Sequence, residues 1–183
     1  MSKTNVIAAV KSDDMFKSAC FSDAKIIFDL LPNIETIEKN ALTASKHNKI
    51  LFVHIDLAEG IGKDKAGLKF LKKSGVNGII STRASIIKIA REIDLKTVQR
   101  IFILDSQSIK SAESVIKSNP DMIEILPGIM PRVISELCSI VNMPIIAGGL
   151  IKTKEDVISA VKAGAATVST SLPELWNLKI DIN

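Results

Sequence analysis

The sequence predicts a compact (β/α)8 barrel of the TIM type, an α/β fold in a single domain over residues 1–183. Three observations lead there. Eight short apolar, β-branched runs alternate with segments of helical period. Most of these runs are apolar throughout, the pattern of strands buried on both faces of a parallel sheet covered by helices. And 183 residues, 46% hydrophobic and with no linker or low-complexity tract, suit one full core. Eight units leave about 23 residues each, against ~31 in a typical barrel of ~250, so the barrel must be stripped down. An open doubly wound sheet is the alternative, but no Gly-x-Gly-x-x-Gly follows the first strand to support it.

The expected strands are Val6–Val10, Lys25–Leu30, Ile50–Asp56, Asn77–Thr82, Val98–Ser106, Met122–Leu126, Pro144–Leu150 and Ala166–Ser171. The segment from Ser12 to Phe21 is barely long enough for a first helix. Asn33, after Pro32, is placed to cap a second helix with Ile34, Ile37 and Ala41 on one face. A lysine-rich helix follows the third strand. One-sided apolar stripes then mark four more: Ile86, Ile89, Ala90 and Ile93; Ile109, Ala112 and Ile116; Ile134, Leu137, Cys138 and Val141; and Val157, Ile158 and Val161. Thr153-Lys-Glu-Asp156 resembles a capping box, and Gly164 a helix C-terminal stop. Only Pro173–Leu178 is left for the eighth unit.

Composition excludes several classes. Every apolar stretch breaks too early to span a membrane, and Met1-Ser-Lys-Thr-Asn-Val6 has no signal-peptide core. Cys20 and Cys138 have no metal or redox spacing and are expected as buried reduced thiols, which fits a cytoplasmic protein. The net charge of +4 mildly favours anionic partners.

Residue types at the strand ends point to a ligand. Met143-Pro-Ile-Ile-Ala-Gly148-Gly149-Leu150 reads as a buried strand ending in paired glycines, and the next strand ends in Ser169-Thr170-Ser171. The loops after the last two strands of a parallel barrel often hold a phosphate. Glycines let backbone N–H groups approach the anion and hydroxyls add donors. A phosphomonoester is therefore the expected ligand class. Other polar groups gather near the remaining strand ends: His54 and Asp56, two apart and so expected on one face; Glu59; Arg83 after Ser81-Thr82; Asp105; and Glu124 inside an apolar strand. Each has a plainer reading, as a satisfied interior histidine, a turn-closing carboxylate or a loop residue. Their clustering favours a site, since buried charges are costly without partners. Arg83 is expected to pair with Glu124 or with a phosphate.

Lys65, Lys69 and Lys72, with Lys88 and Arg91 on the next helix, form a candidate patch for nucleic-acid phosphates, although such a face is usually just solvated. No RNA-binding aromatic motif or zinc spacing accompanies it. No lysine lies inside a strand near its carboxyl end, and no Gly-x-Ser-x-Gly elbow or Walker loop occurs, so no catalytic residue, metal or cofactor is expected.

In order along the chain, His54-Ile-Asp-Leu-Ala-Glu-Gly60, Gly78-Ile-Ile-Ser-Thr-Arg83, Gln99-Arg-Ile-Phe-Ile-Leu-Asp-Ser106, Glu124-Ile-Leu-Pro-Gly128, Ile146-Ala-Gly-Gly-Leu-Ile151 and Val168-Ser-Thr-Ser171 with Leu175-Trp176 resemble the glycerol uptake operon antiterminator family. The first fifty residues match in layout only. The resemblance implies a small barrel with glycerol 3-phosphate as effector. It also implies a regulator that binds the leader mRNA of glycerol-utilisation genes and prevents early termination. Arg83 stands where the family carries Lys, which changes donor geometry but not charge. The alternative is a phosphate-binding barrel enzyme, an isomerase, epimerase or phosphodiesterase, with Glu124 or Asp56 as base. A third reading is a metabolite sensor that contacts protein. Homo-oligomerisation stays open at this level.

Overall fold

The computed structural model describes residues 3–105, 107–109 and 117–181. Eight parallel strands close into a barrel: β2 (Ile7–Val10), β3 (Ile26–Asp29), β4 (Ile50–His54), β5 (Gly78–Ser81), β6 (Lys96–Phe102), β7 (Met122–Leu126), β8 (Ile145–Gly148) and β9 (Thr167–Thr170). Each pairs in parallel with its neighbour in sequence, and β9 closes on β2 through Ile7↔Ser169. The open-sheet alternative is thereby excluded.

The alternation of side chains divides the core in two. Ile7, Ala9, Phe28, Phe52, Ile80, Val98 and Ile146 fill the barrel interior, with the Phe28 and Phe52 rings edge to face at 5.7 Å. The intervening residues, such as Ala8, Ile27, Val53, Ile79 and Ile125, pack outward against the helices. Both faces are thus apolar, which is why these strands read as unbroken hydrophobic runs.

The helices whose full span lies among the described residues are α1 (Asp13–Phe21), α2 (Ile37–Lys46), α3 (Lys65–Lys73), α4 (Ala84–Glu92), α5 (Pro131–Ile140) and α6 (Lys154–Lys162). The short α1 forms because Ser12 caps it, accepting from the Met15 N–H, and Asp13 and Asp14 complement its dipole. The Thr153–Asp156 capping box is complete, and Gly164 follows α6 at φ +110°. The Ala112 and Ile116 positions lie outside the described residues.

Four expectations change. Asn33 does not cap a helix at Ile34. Its side chain takes the Glu35 N–H in a preceding turn, and α2 begins at Ile37 after Thr36. The third barrel strand ends at His54 and passes into a 3-10 turn, Ile55–Leu57, so Asp56 leaves the face that His54 shares with Phe52. The strand expected to reach Ser106 ends at Phe102. Cys138 is only half-buried, unlike Cys20. Two features are additional. Lys3–Asn5 (β1) and Lys179–Asp181 (β10) form an antiparallel ribbon, and the 3-10 turn Pro173–Leu175 stands in for the eighth helix. There Trp176, 1% exposed, joins the outer core and donates its indole N–H to the Thr170 carbonyl at 2.9 Å.

Candidate functional site

Above the apolar interior the barrel turns polar. Arg100 on β6 and Glu124 on β7 are register partners, each two residues beyond an interior position (Val98, Met122), so both side chains enter the barrel. Arg100 Nε donates to Glu124 Oε2 at 2.6 Å, and Ser169 Oγ to Glu124 Oε1 at 2.6 Å. The two charged side chains are 9% and 2% exposed. Gly148 makes room for this carboxylate: a Cβ there would lie 2.5 Å from Glu124 Oε1 and 2.7 Å from Ser169 Oγ.

This network floors a cavity of about 440 Å³ at the carboxyl end of the barrel, lined also by Lys11, Gly149, Thr170 and Ser171 and rimmed by leucines. Its size falls in the range of small-ligand pockets. Gly149 at φ +71° and Leu150 at φ +60° form a left-handed turn at its edge. Left-handed geometry costs a non-glycine residue roughly 1–2 kcal/mol, and Leu150 accepts it while 59% exposed. Outside the strand ladders, no backbone acceptor among the described residues meets the N–H of Gly149, Leu150 or Ser171. Thr170 Oγ1 instead donates to the Ile151 carbonyl at 2.9 Å, bracing one loop against the other.

The other polar candidates stand apart from the cavity wall. Asp56 accepts from Ser81 Oγ (2.9 Å), from the Thr82 N–H (2.7 Å) and hydroxyl (2.9 Å), and from Arg83 Nε (3.0 Å). Burial alone would raise its pKa, but these donors hold it below the usual carboxylate range. It staples the turn between β5 and α4. Arg83 therefore pairs with Asp56, not Glu124, whose cation is Arg100. Glu59 is exposed and accepts from Asn33 Nδ2 at 2.8 Å. Asp105 is exposed and closes a turn, taking the Ser108 N–H and hydroxyl, both at 2.9 Å; these donors lower its pKa.

His54 lies inside the barrel, 4% exposed, with its Nδ1 unpartnered. Desolvation, aided by the Arg100 charge, lowers its pKa to about 4. As pH falls through 6.5, the unfolded chain takes up a proton that the folded histidine refuses until about pH 4. Its contribution to stability thus falls by on the order of 3 kcal/mol over that window. Asp29, buried and pushed up to about 6, acts in the opposite sense over much of the same range. The histidine is therefore isolated by difference: urea melts of wild type and His54→Gln at pH 7 and 4.5 should diverge in pH dependence by about that amount. Parallel pH profiles would show that the ring is solvated.

Of the sequence-predicted residues, the cavity gathers Gly149, Ser169, Thr170, Ser171 and Glu124, with Gly148 beneath them. His54, Asp56, Glu59, Arg83 and Asp105 are not among its lining. Sequence reasoning missed Arg100 and Lys11. The available signals were a cation within an apolar strand, and a lysine two residues beyond interior Ala9. On the outer surface, Lys65 pairs with Glu92 (3.2 Å), Lys72 with Asp94 (3.7 Å) and Arg91 with Asp121 (3.5 Å), whereas Lys69 and Lys88 have no ion pair among the described residues. Among those residues no group of three or more His, Cys, Asp or Glu side chains is gathered to hold a metal, and no helix is long and apolar enough to cross a membrane.

Comparison with known proteins places this geometry. The family model described as glycerol-3-phosphate responsive antiterminator matches residues 6–176. The crystal structure of a glycerol uptake operon antiterminator regulatory protein from Listeria monocytogenes superposes with a TM-score of 0.89 at 31% identity, covering 96% of each chain. A glycerol uptake operon antiterminator-related protein from Thermotoga maritima gives 0.85 at 27% identity, covering 97% of this chain and 100% of that one. The uncharacterized protein YgcP of Escherichia coli K12 is 39% identical over 175 residues, 94% of this chain and 92% of that one.

Proposed function

Since the chain belongs to the glycerol-3-phosphate responsive antiterminator family, we propose that it binds glycerol 3-phosphate in the barrel mouth and, in response, acts on the leader mRNA of glycerol-utilisation genes as an antiterminator. The observation that carries the ligand reading is the cavity itself, a polar-floored pocket at the carboxyl ends of the strands, with free backbone donors in the last two loops. The phosphate belongs against the Gly149–Leu150 turn and Ser171, where N–H groups are unclaimed. The glycerol carbons lie toward Glu124 and Ser169. Lys11 and Arg100 against Glu124 leave the pocket with a net positive charge, suited to a phosphate dianion.

The same floor favours binding over chemistry. Both Glu124 oxygens already accept a hydrogen bond, one from Arg100 and one from Ser169, so the carboxylate most plausible as a base in an enzyme is tied into a fixed network. Ligand binding would bias the population of an RNA-competent state through its loops. The RNA surface is best sought at Lys69 and Lys88, the unpaired members of the basic set. The test is binding of glycerol-operon leader RNA with and without glycerol 3-phosphate, with turnover assayed in parallel. Ligand should tighten RNA binding by roughly 5–150-fold, steeply dependent on salt, and should survive unchanged. Ligand-independent RNA binding together with conversion of the phosphoester would favour the enzyme instead.

A further inference from the structure

If the cavity is a phosphomonoester site, Arg100 is placed to select among its ligands. A guanidinium carries five N–H donors in a rigid planar fork. In Arg100 the Nε edge is turned to Glu124. The opposite edge faces away from that carboxylate and meets no other acceptor among the described residues. Neither are its nitrogens sealed off from solvent, unlike the orphaned Nδ1 of His54. Because Arg100 lines the cavity, that edge opens into it. Each Glu124 oxygen already accepts one hydrogen bond, from Arg100 or from Ser169, so the unused donors of this network belong to Arg100. The free edge of Arg100 therefore presents N–H donors and its own positive charge, fixed in orientation by a buried partner.

We propose that Arg100 reads the end of the ligand opposite the phosphate, and restricts the pocket to phosphomonoesters whose far end carries oxygen acceptors, such as a diol or a carboxylate, to the exclusion of those ending in an ammonium. Glu124 is the positioning residue that aims the fork. An ammonium would meet the guanidinium edge with like charge and no acceptor, whereas hydroxyl oxygens meet it with lone pairs. Specificity of this kind comes as much from the repelled group as from the accepted one.

Calorimetry with three probes tests this: inorganic phosphate, which reads the anion seat alone, glycerol 3-phosphate and ethanolamine phosphate. The wild type should prefer glycerol 3-phosphate over ethanolamine phosphate by roughly tenfold to a hundredfold, the worth of a hydrogen bond to a charged group. Arg100→Lys keeps a cation over Glu124 but loses the fork. The double variant Arg100→Met/Glu124→Gln removes both charges together and so avoids a lone buried ion. In both, phosphate affinity should stay near wild type. The preference should shrink in Arg100→Lys and all but vanish in the double variant. A preference unchanged in the double variant overturns the proposal. So does an equal loss of all three probes, which would make Arg100 part of the anion seat or of the scaffold. A wild type that binds neither phosphate nor glycerol 3-phosphate removes the reading of the site, and this proposal with it.

Discussion

Gly149→Asp should abolish glycerol 3-phosphate binding. The new carboxylate would stand at the turn where the N–H groups of Gly149 and Leu150 are unclaimed. Two unit charges about 4 Å apart repel by ~4 kcal/mol at the effective dielectric of a protein surface, on the order of a thousandfold in affinity. Two smaller effects add to it. The φ of +71° is left-handed, and a Cβ there comes within 3.1 Å of Leu126 Cδ2, the end of a flexible side chain. Gly149→Ala carries those two effects without the charge, so it should weaken binding far less. Calorimetry on the two variants separates strain from repulsion. Undiminished affinity in Gly149→Asp would move the phosphate away from this loop.

Glu124→Leu should cost about 3–5 kcal/mol of folding stability. The substitution leaves Arg100, 9% exposed, without its carboxylate and takes the acceptor from Ser169 Oγ. Breaking one side of a buried pair is expensive because the survivor remains a charge in a poor solvent. Removing both is not, so Arg100→Met/Glu124→Gln should recover most of the loss. Urea unfolding at pH 7 reads both. A loss below about 1 kcal/mol would mean that the guanidinium escapes into the water of the cavity.

Patterns the sequence repeats were legible from it; geometry decided by single partners was not. Strands buried on both faces must be apolar at every position, so β2–β9 announced themselves, and the two final loops were marked by Gly148-Gly149 and Ser169–Ser171. The errors arose where a strand stops. Extending the two-residue alternation past His54 placed Asp56 inside the barrel, but a 3-10 turn rotates it toward Thr82 and Arg83 instead. Nothing in the local sequence distinguishes a carboxylate that staples a neighbouring turn from one that faces a ligand. Arg100 was overlooked for a related reason. Its partner lies 24 residues away and is fixed only by the β6–β7 register. Arg83, just past the end of β5, was the cation in view for Glu124.

The indole that fills the gap left by the eighth helix has an optical consequence. The chain holds one tryptophan and no tyrosine, so emission excited at long ultraviolet wavelengths comes from Trp176 alone. That ring is buried and hydrogen-bonded to the carbonyl of Thr170, whose hydroxyl in turn holds the Ile151 carbonyl of the glycine loop. The fluorophore is thus linked through Thr170 to the loop proposed to seat the anion. A ligand that orders the glycine loop should therefore change the intensity or wavelength of unlabelled protein, and unfolding of the scaffold around Trp176 should change the same signal.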